Sequence, residues 1–87
     1  MTFEVRLSTQ ARRALTEELP EAVAAACFEF LAGALADNPH RVGKPLRAPL
    51  EGLHSARRGQ FRVVYEIVED RVLVLVVRIQ HRRDVYR

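Results

Sequence analysis

Between residues 60 and 80 the chain alternates in a way that leaves few folds open. Phe61, Val63, Tyr65 and Ile67 occupy every second position; an acidic pair, Glu69-Asp70, follows; Val72, Val74 and Val76 then resume the alternation. Period two marks a strand with one buried face, and two such strands across a short polar turn read as an antiparallel hairpin. A third strand, Leu53 to Arg57, precedes them across an Arg58-Gly59 turn. A sheet with one wholly apolar face needs a second layer over it, and the N-terminal half supplies one. Phe3, Val5 and Leu7 alternate as a short strand, and Ser8 or Thr9 caps a helix through QARRALTEEL. Pro20 opens a second helix, PEAVAAACFEFLAGALAD, which carries two adjacent apolar stripes at helical spacing: Val23, Cys27, Phe30, Ala34 and Ala24, Phe28, Leu31, Leu35. Asn38-Pro39 stops it, and residues 39–52, with three of the four prolines, form a connecting loop with or without a short strand at its end. The order is β-α-α-β-β-β. This predicts an α+β fold, two N-terminal helices packed on a small, mostly antiparallel sheet, with residues 1–87 as one domain.

Charge divides the chain. Residues 1–39 hold three basic and six acidic side chains, a balance of −3; residues 40–87 hold eleven basic and five acidic, a balance of +6. Lys44 is the single lysine among fourteen basic residues. The planar arginine fork suits phosphate, so an arginine-rich half points to a polyanionic partner. A high-GC coding bias gives the same composition, which by itself leaves both readings open. No apolar run reaches membrane-spanning length, and MTFEVRLSTQ does not read as a signal peptide. Cys27 is the only cysteine, which excludes an internal disulfide and fits a cytoplasmic location. His40, His54 and His81 share no ligand spacing, so no metal and no cofactor are expected.

Two-residue turns at Arg58-Gly59 and Glu69-Asp70 set a register. They pair Ser55 with Arg62 and Arg62 with Val77, placing Ser55, Arg57, Arg62, Val77, Ile79 and His81 on one face. Phe61, Val63, Tyr65, Ile67, Val72, Val74 and Val76 take the other, against the helices. His81 and Arg62 are expected to flank one patch with Cα atoms roughly 13 Å apart, wide enough for a phosphodiester between them. The terminal HRRDVYR then supplies an imidazole, arginines and a phenol. These groups suit metal-independent RNA cleavage: a base takes the 2′-hydroxyl proton, a cation stabilises the phosphorane, and an acid protonates the leaving 5′-oxygen. Each has a plainer reading. Arg62 is a solvent-face strand residue, His81 pairs with Asp84 at a strand end, and Tyr86 pins the C-terminus.

The order of elements, the segment KPLRAPLEGLHSARRGQFRVVYEI and the terminal HRRDVYR resemble the RelE/ParE superfamily of bacterial toxins. The matching pieces are Leu50 to Leu53, Arg57 to Gly59, Gln60 to Tyr65, Glu69-Asp70, Val72 to Ile79 and His81 to Tyr86. The resemblance implies a toxin of a type II toxin–antitoxin pair. In the RelE branch this is a ribosome-dependent endoribonuclease that cleaves mRNA in the A site by 2′-hydroxyl attack on the adjacent phosphate. It implies Arg62 as phosphate contact, His81 as general acid and Tyr86 as a stacking or proton-transfer group, with Arg57, Arg58, Arg82 and Arg83 on the RNA. The strand before the basic turn carries a lysine pair in the best-known branch. Here Ser55 and Arg57 stand there, with no lysine nearby in sequence, so the general base is left open. The implied partners are a RelB-like antitoxin, the ribosome and mRNA, with no membrane and no direct DNA contact by the toxin alone. The alternative is a ParE-type inhibitor of DNA gyrase without nuclease activity; a third is a partner-binding module that has lost activity.

Overall fold

A computed structural model of the chain describes residues 2–82. Strand β1 (Glu4–Leu7) leads into α1 (Thr9–Arg13), which widens into a π-helical turn over Ala14–Glu18. Helix α2 (Glu21–Phe30) likewise ends in a π turn over Leu31–Leu35. A short helix α3 (Pro39–Val42) and a two-residue strand β2 (Lys44–Pro45) occupy the stretch read from sequence as a loop. Strands β3 (Leu53–Arg58), β4 (Phe61–Val68) and β5 (Leu73–His81) complete a five-stranded sheet of order β1-β5-β4-β3-β2. β1 runs parallel to β5 and the other neighbours are antiparallel. The predicted α+β class and its mostly antiparallel sheet are therefore found.

The helices cover one face of the sheet. Ala11, Ala14, Val23, Cys27, Phe30, Leu31 and Leu35 pack on Ala56, Phe61, Val63, Tyr65, Val74, Val76 and Ile79. Neither stripe is wholly used, although Val23, Cys27 and Phe30 of the first are buried. Ala24 is half-buried and Phe28 is 62% exposed. The π turn adds a residue to the helical repeat and so turns Leu31 and Leu35 inward while Ala34 faces out. Burial pushes the Cys27 thiol up to about 12, so it stays protonated and unreactive.

Both hairpins depart from the predicted register. The β3–β4 turn is Gly59-Gln60, with Arg58 opposite Phe61 and Arg57 opposite Arg62. This is a shift of two in pairing, so the faces survive. The β4–β5 connection is longer than the acidic pair: Glu69–Arg71 form a 3-10 turn and Val72 sits at φ 51, outside the strand. The larger correction lies further along. Tyr65 pairs with Val76, but Val64 pairs with Arg78, leaving Val77 without an opposite number. This bulge reverses every side chain beyond it. Ile79 becomes a core residue opposite Val63, and His81 lies opposite Phe61. The expectation that Ile79 and His81 share the face of Arg62 is wrong, because a strand with one extra residue changes phase beyond it.

The N-terminus of α1 stabilises the bulge. Ser8 Oγ accepts a hydrogen bond from the Ala11 amide at 3.1 Å and donates to the Val77 carbonyl at 2.7 Å. Gln10 then behaves like a strand neighbour of β5. Its amide nitrogen donates to the Ile79 carbonyl at 3.2 Å, and its oxygen accepts from the Ile79 amide at 3.1 Å. Ser8→Ala removes a helix cap and a bulge contact together, and should cost about 1–3 kcal/mol. Urea unfolding with an unchanged m-value checks this.

Candidate functional site

Like charges directly opposed across a strand pair repel, yet Arg57 and Arg62 are direct partners in β3–β4. They project from the face away from the helices, with Arg57 exposed and Arg62 half-buried. The third cation comes from β2, where Lys44 pairs with Ser55. Together with Val42, Gly43, Pro45, Leu46, Ser55 and Arg58, these cations line a cleft of about 570 Å³. The ion pairs among the described residues, Arg6 with Glu4 and His40 with Glu69, lie elsewhere. With Arg58 four cations line the cleft and, among the described residues, no carboxylate does; such a cluster favours an anion by charge alone. Arg62 is oriented further, its Nε donating to Ser55 Oγ at 2.7 Å.

Lys44 was not among the residues the sequence pointed to. It is eleven positions before Ser55 and separated from it by a proline-rich loop; the β2–β3 bridge removes that distance. Gly43 makes the bridge possible. A methyl group in its place would collide with Tyr65 Oη and lie 2.8 Å from the Ser55 carbonyl oxygen. Tyr65 is fully buried, and its hydroxyl donates to the Pro39 carbonyl at 2.6 Å, which ties α3 to β4. Burial pushes the Tyr65 hydroxyl up to about 12, against a smaller opposing effect of the Arg58 charge, so it stays protonated and able to donate.

Arg58 has an architectural setting. Its terminal nitrogens donate to the Arg57 and Val42 carbonyls at 2.8 and 2.9 Å, and its guanidinium lies 5.1 Å from the Phe30 ring centroid. It thus joins β3, α3 and α2 while lining one side of the cleft. His81 lies at the same end of the sheet as Arg57 and Arg62 but on the helix side. There it borders a separate pocket of about 220 Å³ with Gln10, Glu18, Arg78 and Gln80. The Arg82 amide donates to the Gln60 carbonyl at 2.6 Å, so the chain leaves β5 beside the β3–β4 turn. Arg83 and Tyr86 lie outside the described residues. The structure therefore gathers Arg57 and Arg62, adds Lys44 and Ser55, and separates His81 from them.

Sequence comparison adds a family to this geometry. A family model described as the ParE toxin of type II toxin–antitoxin systems matches residues 5–86. This chain belongs to the ParE toxin family. Its similarity to proteins named RelE is equally plain. It is 52% identical over 85 residues to Toxin RelE of Mycobacterium tuberculosis, covering 98% of this chain and 87% of that protein. Toxin RelG of the same organism is 47% identical over 87 residues, covering 100% of this chain and 99% of the relative. The fold superimposes on the crystal structure of the M. tuberculosis toxin–antitoxin complex RelBE2 with a TM-score of 0.91 at 45% identity. That match covers 94% of this chain and all of the other. The chain is thus a toxin of a type II toxin–antitoxin system. Among the described residues no helix is long and apolar enough to cross a membrane.

Two variants separate charge from architecture. Arg58→Ala should lower stability by about 1–3 kcal/mol through the lost carbonyl bonds and ring contact. Arg57→Ala should leave stability unchanged or slightly raised, since it removes the repulsion with Arg62. Denaturant midpoints of the two proteins check this. A pH effect is expected on the other side of β3. His54 stacks on Tyr65 with ring centroids 5.5 Å apart, its Nδ1 is buried without a hydrogen-bond partner, and His40 lies 6.3 Å away with Glu69 paired to it. Burial, and then the His40 charge, lower the His54 pKa from its ordinary 6.5. The unfolded chain therefore binds the proton first as pH falls, and stability should drop below pH 6.5. Unfolding midpoints at pH 7.5 and 5.5, with His54→Phe flattening the difference, test it.

Proposed function

We propose that this toxin is a metal-independent endoribonuclease that cleaves mRNA in the ribosomal A site and so arrests translation in the cytoplasm. The observation that carries this reading is the cleft of Arg57, Arg62 and Lys44, where a cross-strand pair of like charges is left for an anion to neutralise. A phosphodiester is the anion that fits a planar arginine fork. In this reading the ribose 2′-hydroxyl attacks the adjacent phosphorus, the bond to the 5′-oxygen breaks, and a 2′,3′-cyclic phosphate is formed. Arg62 stabilises the charge that accumulates on the phosphorane, while Arg57 and Lys44 hold the flanking phosphates. His81 serves proton transfer from the end of β5, and the substrate reaches it over the Phe61 end of the sheet, since His81 lies on the other side of it. Tyr86 is assigned to stacking or proton transfer, and Arg82 and Arg83 to the RNA strand, from the family resemblance alone. Among the described residues the cleft lining holds no histidine or carboxylate, and in this reading the ribosome bends the substrate into line for attack.

A RelB-like antitoxin is the proposed partner, as in the RelBE2 complex to which the fold is similar. An acidic segment across the basic cleft would neutralise it and block RNA. DNA contact by the toxin alone has no part in this reading.

The test is cleavage of mRNA on ribosomes programmed with a defined codon. Wild type should cut in the A site; Arg62→Ala should lose about a hundredfold or more in rate with its fold retained; Lys44→Ala should lose less. His81→Gln should fall between them. Intact mRNA together with gyrase-dependent DNA cleavage would overturn the nuclease in favour of the gyrase inhibitor that the name of the matching family suggests.

A further inference from the structure

We propose that Ser55 is a positioning residue for Arg62 and decides which edge of its guanidinium meets the phosphate. This rests on the nuclease reading for its substrate and on the structure for its geometry. A guanidinium offers two edges that present parallel N–H groups to two phosphate oxygens. One is the side formed by Nε and one terminal nitrogen; the other is the end formed by both terminal nitrogens. Ser55 Oγ accepts from Arg62 Nε at 2.7 Å, which closes the side edge and leaves the end edge available to a ligand in the cleft that Arg62 lines.

The placement is diagonal. Ser55 pairs with Val64, two positions along β4 from Arg62. A long side chain spans that offset easily. The bond draws Arg62 along the strand and away from Arg57, its direct partner, so it offsets part of the like-charge repulsion. Ser55 is itself held on both sides, by Val64 in β4 and Lys44 in β2. A hydroxyl on a doubly paired strand is a fixed point, whereas Arg62 by itself has many rotamers. The serine therefore gives Arg62 a single orientation before substrate arrives, which helps the transition state more than the initial encounter. Losing it should reduce kcat and spare KM, because a loose guanidinium still attracts a phosphate.

The experiment uses the full chain as wild type, Ser55→Ala, Ser55→Thr, Arg62→Ala and the Ser55→Ala/Arg62→Ala double variant. The first readout is exchange of the Arg62 Nε–H proton with water by NMR, which needs no activity. Ser55→Ala should exchange about tenfold faster or more, and Ser55→Thr should behave as wild type. The second is cleavage on programmed ribosomes. Ser55→Ala should lose about tenfold in kcat with KM within about twofold, threonine should restore it, and the double variant should be no worse than Arg62→Ala. Unchanged exchange in Ser55→Ala, or additive losses in the double variant, would overturn the proposal. A wild type that cuts no RNA while the exchange pattern holds would remove the nuclease reading and leave Ser55 as the residue that orients Arg62.

Discussion

The extra residue in β5 governs the molecule. Without a bulge at Val77, the buried phase set by Val74 and Val76 would continue through Arg78 and Gln80, carrying a charge into the core and Ile79 out of it. With the bulge, Ile79 is 1% exposed and Arg78 reaches solvent. The inserted residue breaks the ladder locally, and its carbonyl needs a partner. Ser8 supplies the partner from 69 residues away, and Gln10 pairs with the backbone beyond it. The start of α1 and the end of β5 are thus one cooperative unit, and the parallel pairing of β1 with β5 docks the helix layer onto the sheet in the required position.

Function follows from the same phase change. Arg62 and His81 end up near one another in the sheet but on opposite faces, so the clustered cations and the imidazole lie on different surfaces. The cleft is instead completed from the other side, by a two-residue strand. Gly43 lets the backbone pass close to Tyr65, and Lys44 arrives opposite Ser55 as a result. The cleft wall, the tyrosine anchor and the Arg58 clamp converge on the Pro39–Lys44 segment. An alteration at Pro39, Val42 or Gly43 would change the shape of the cleft without touching Lys44, Arg57 or Arg62.

How far the sequence could be read varied with the range of the interactions involved. The apolar alternation in β4 and the helical stripe of Val23, Cys27 and Phe30 were legible, because each residue's burial follows from its near neighbours. The pairing of Arg57 and Arg62 on one face survived an incorrect turn, since a shift of two keeps the phase. His81 did not survive, since a shift of one reverses it. A signal was present: Arg78 falls where the Val74-Val76 phase predicts burial, and Ile79 follows immediately. The short helix and strand between Pro39 and Pro45 left no periodicity, being too brief to show one.

By itself the sequence determined the fold class, the order of the main elements, the sheet's apolar face and the basic half of the chain, because these follow from local period and composition. Only the tertiary structure decided that Lys44 joins Arg57 and Arg62, that Ser55 holds one of them, and that His81 faces away. Each of these depends on backbone contacts between segments far apart in sequence, and such contacts set strand phase without leaving a local pattern.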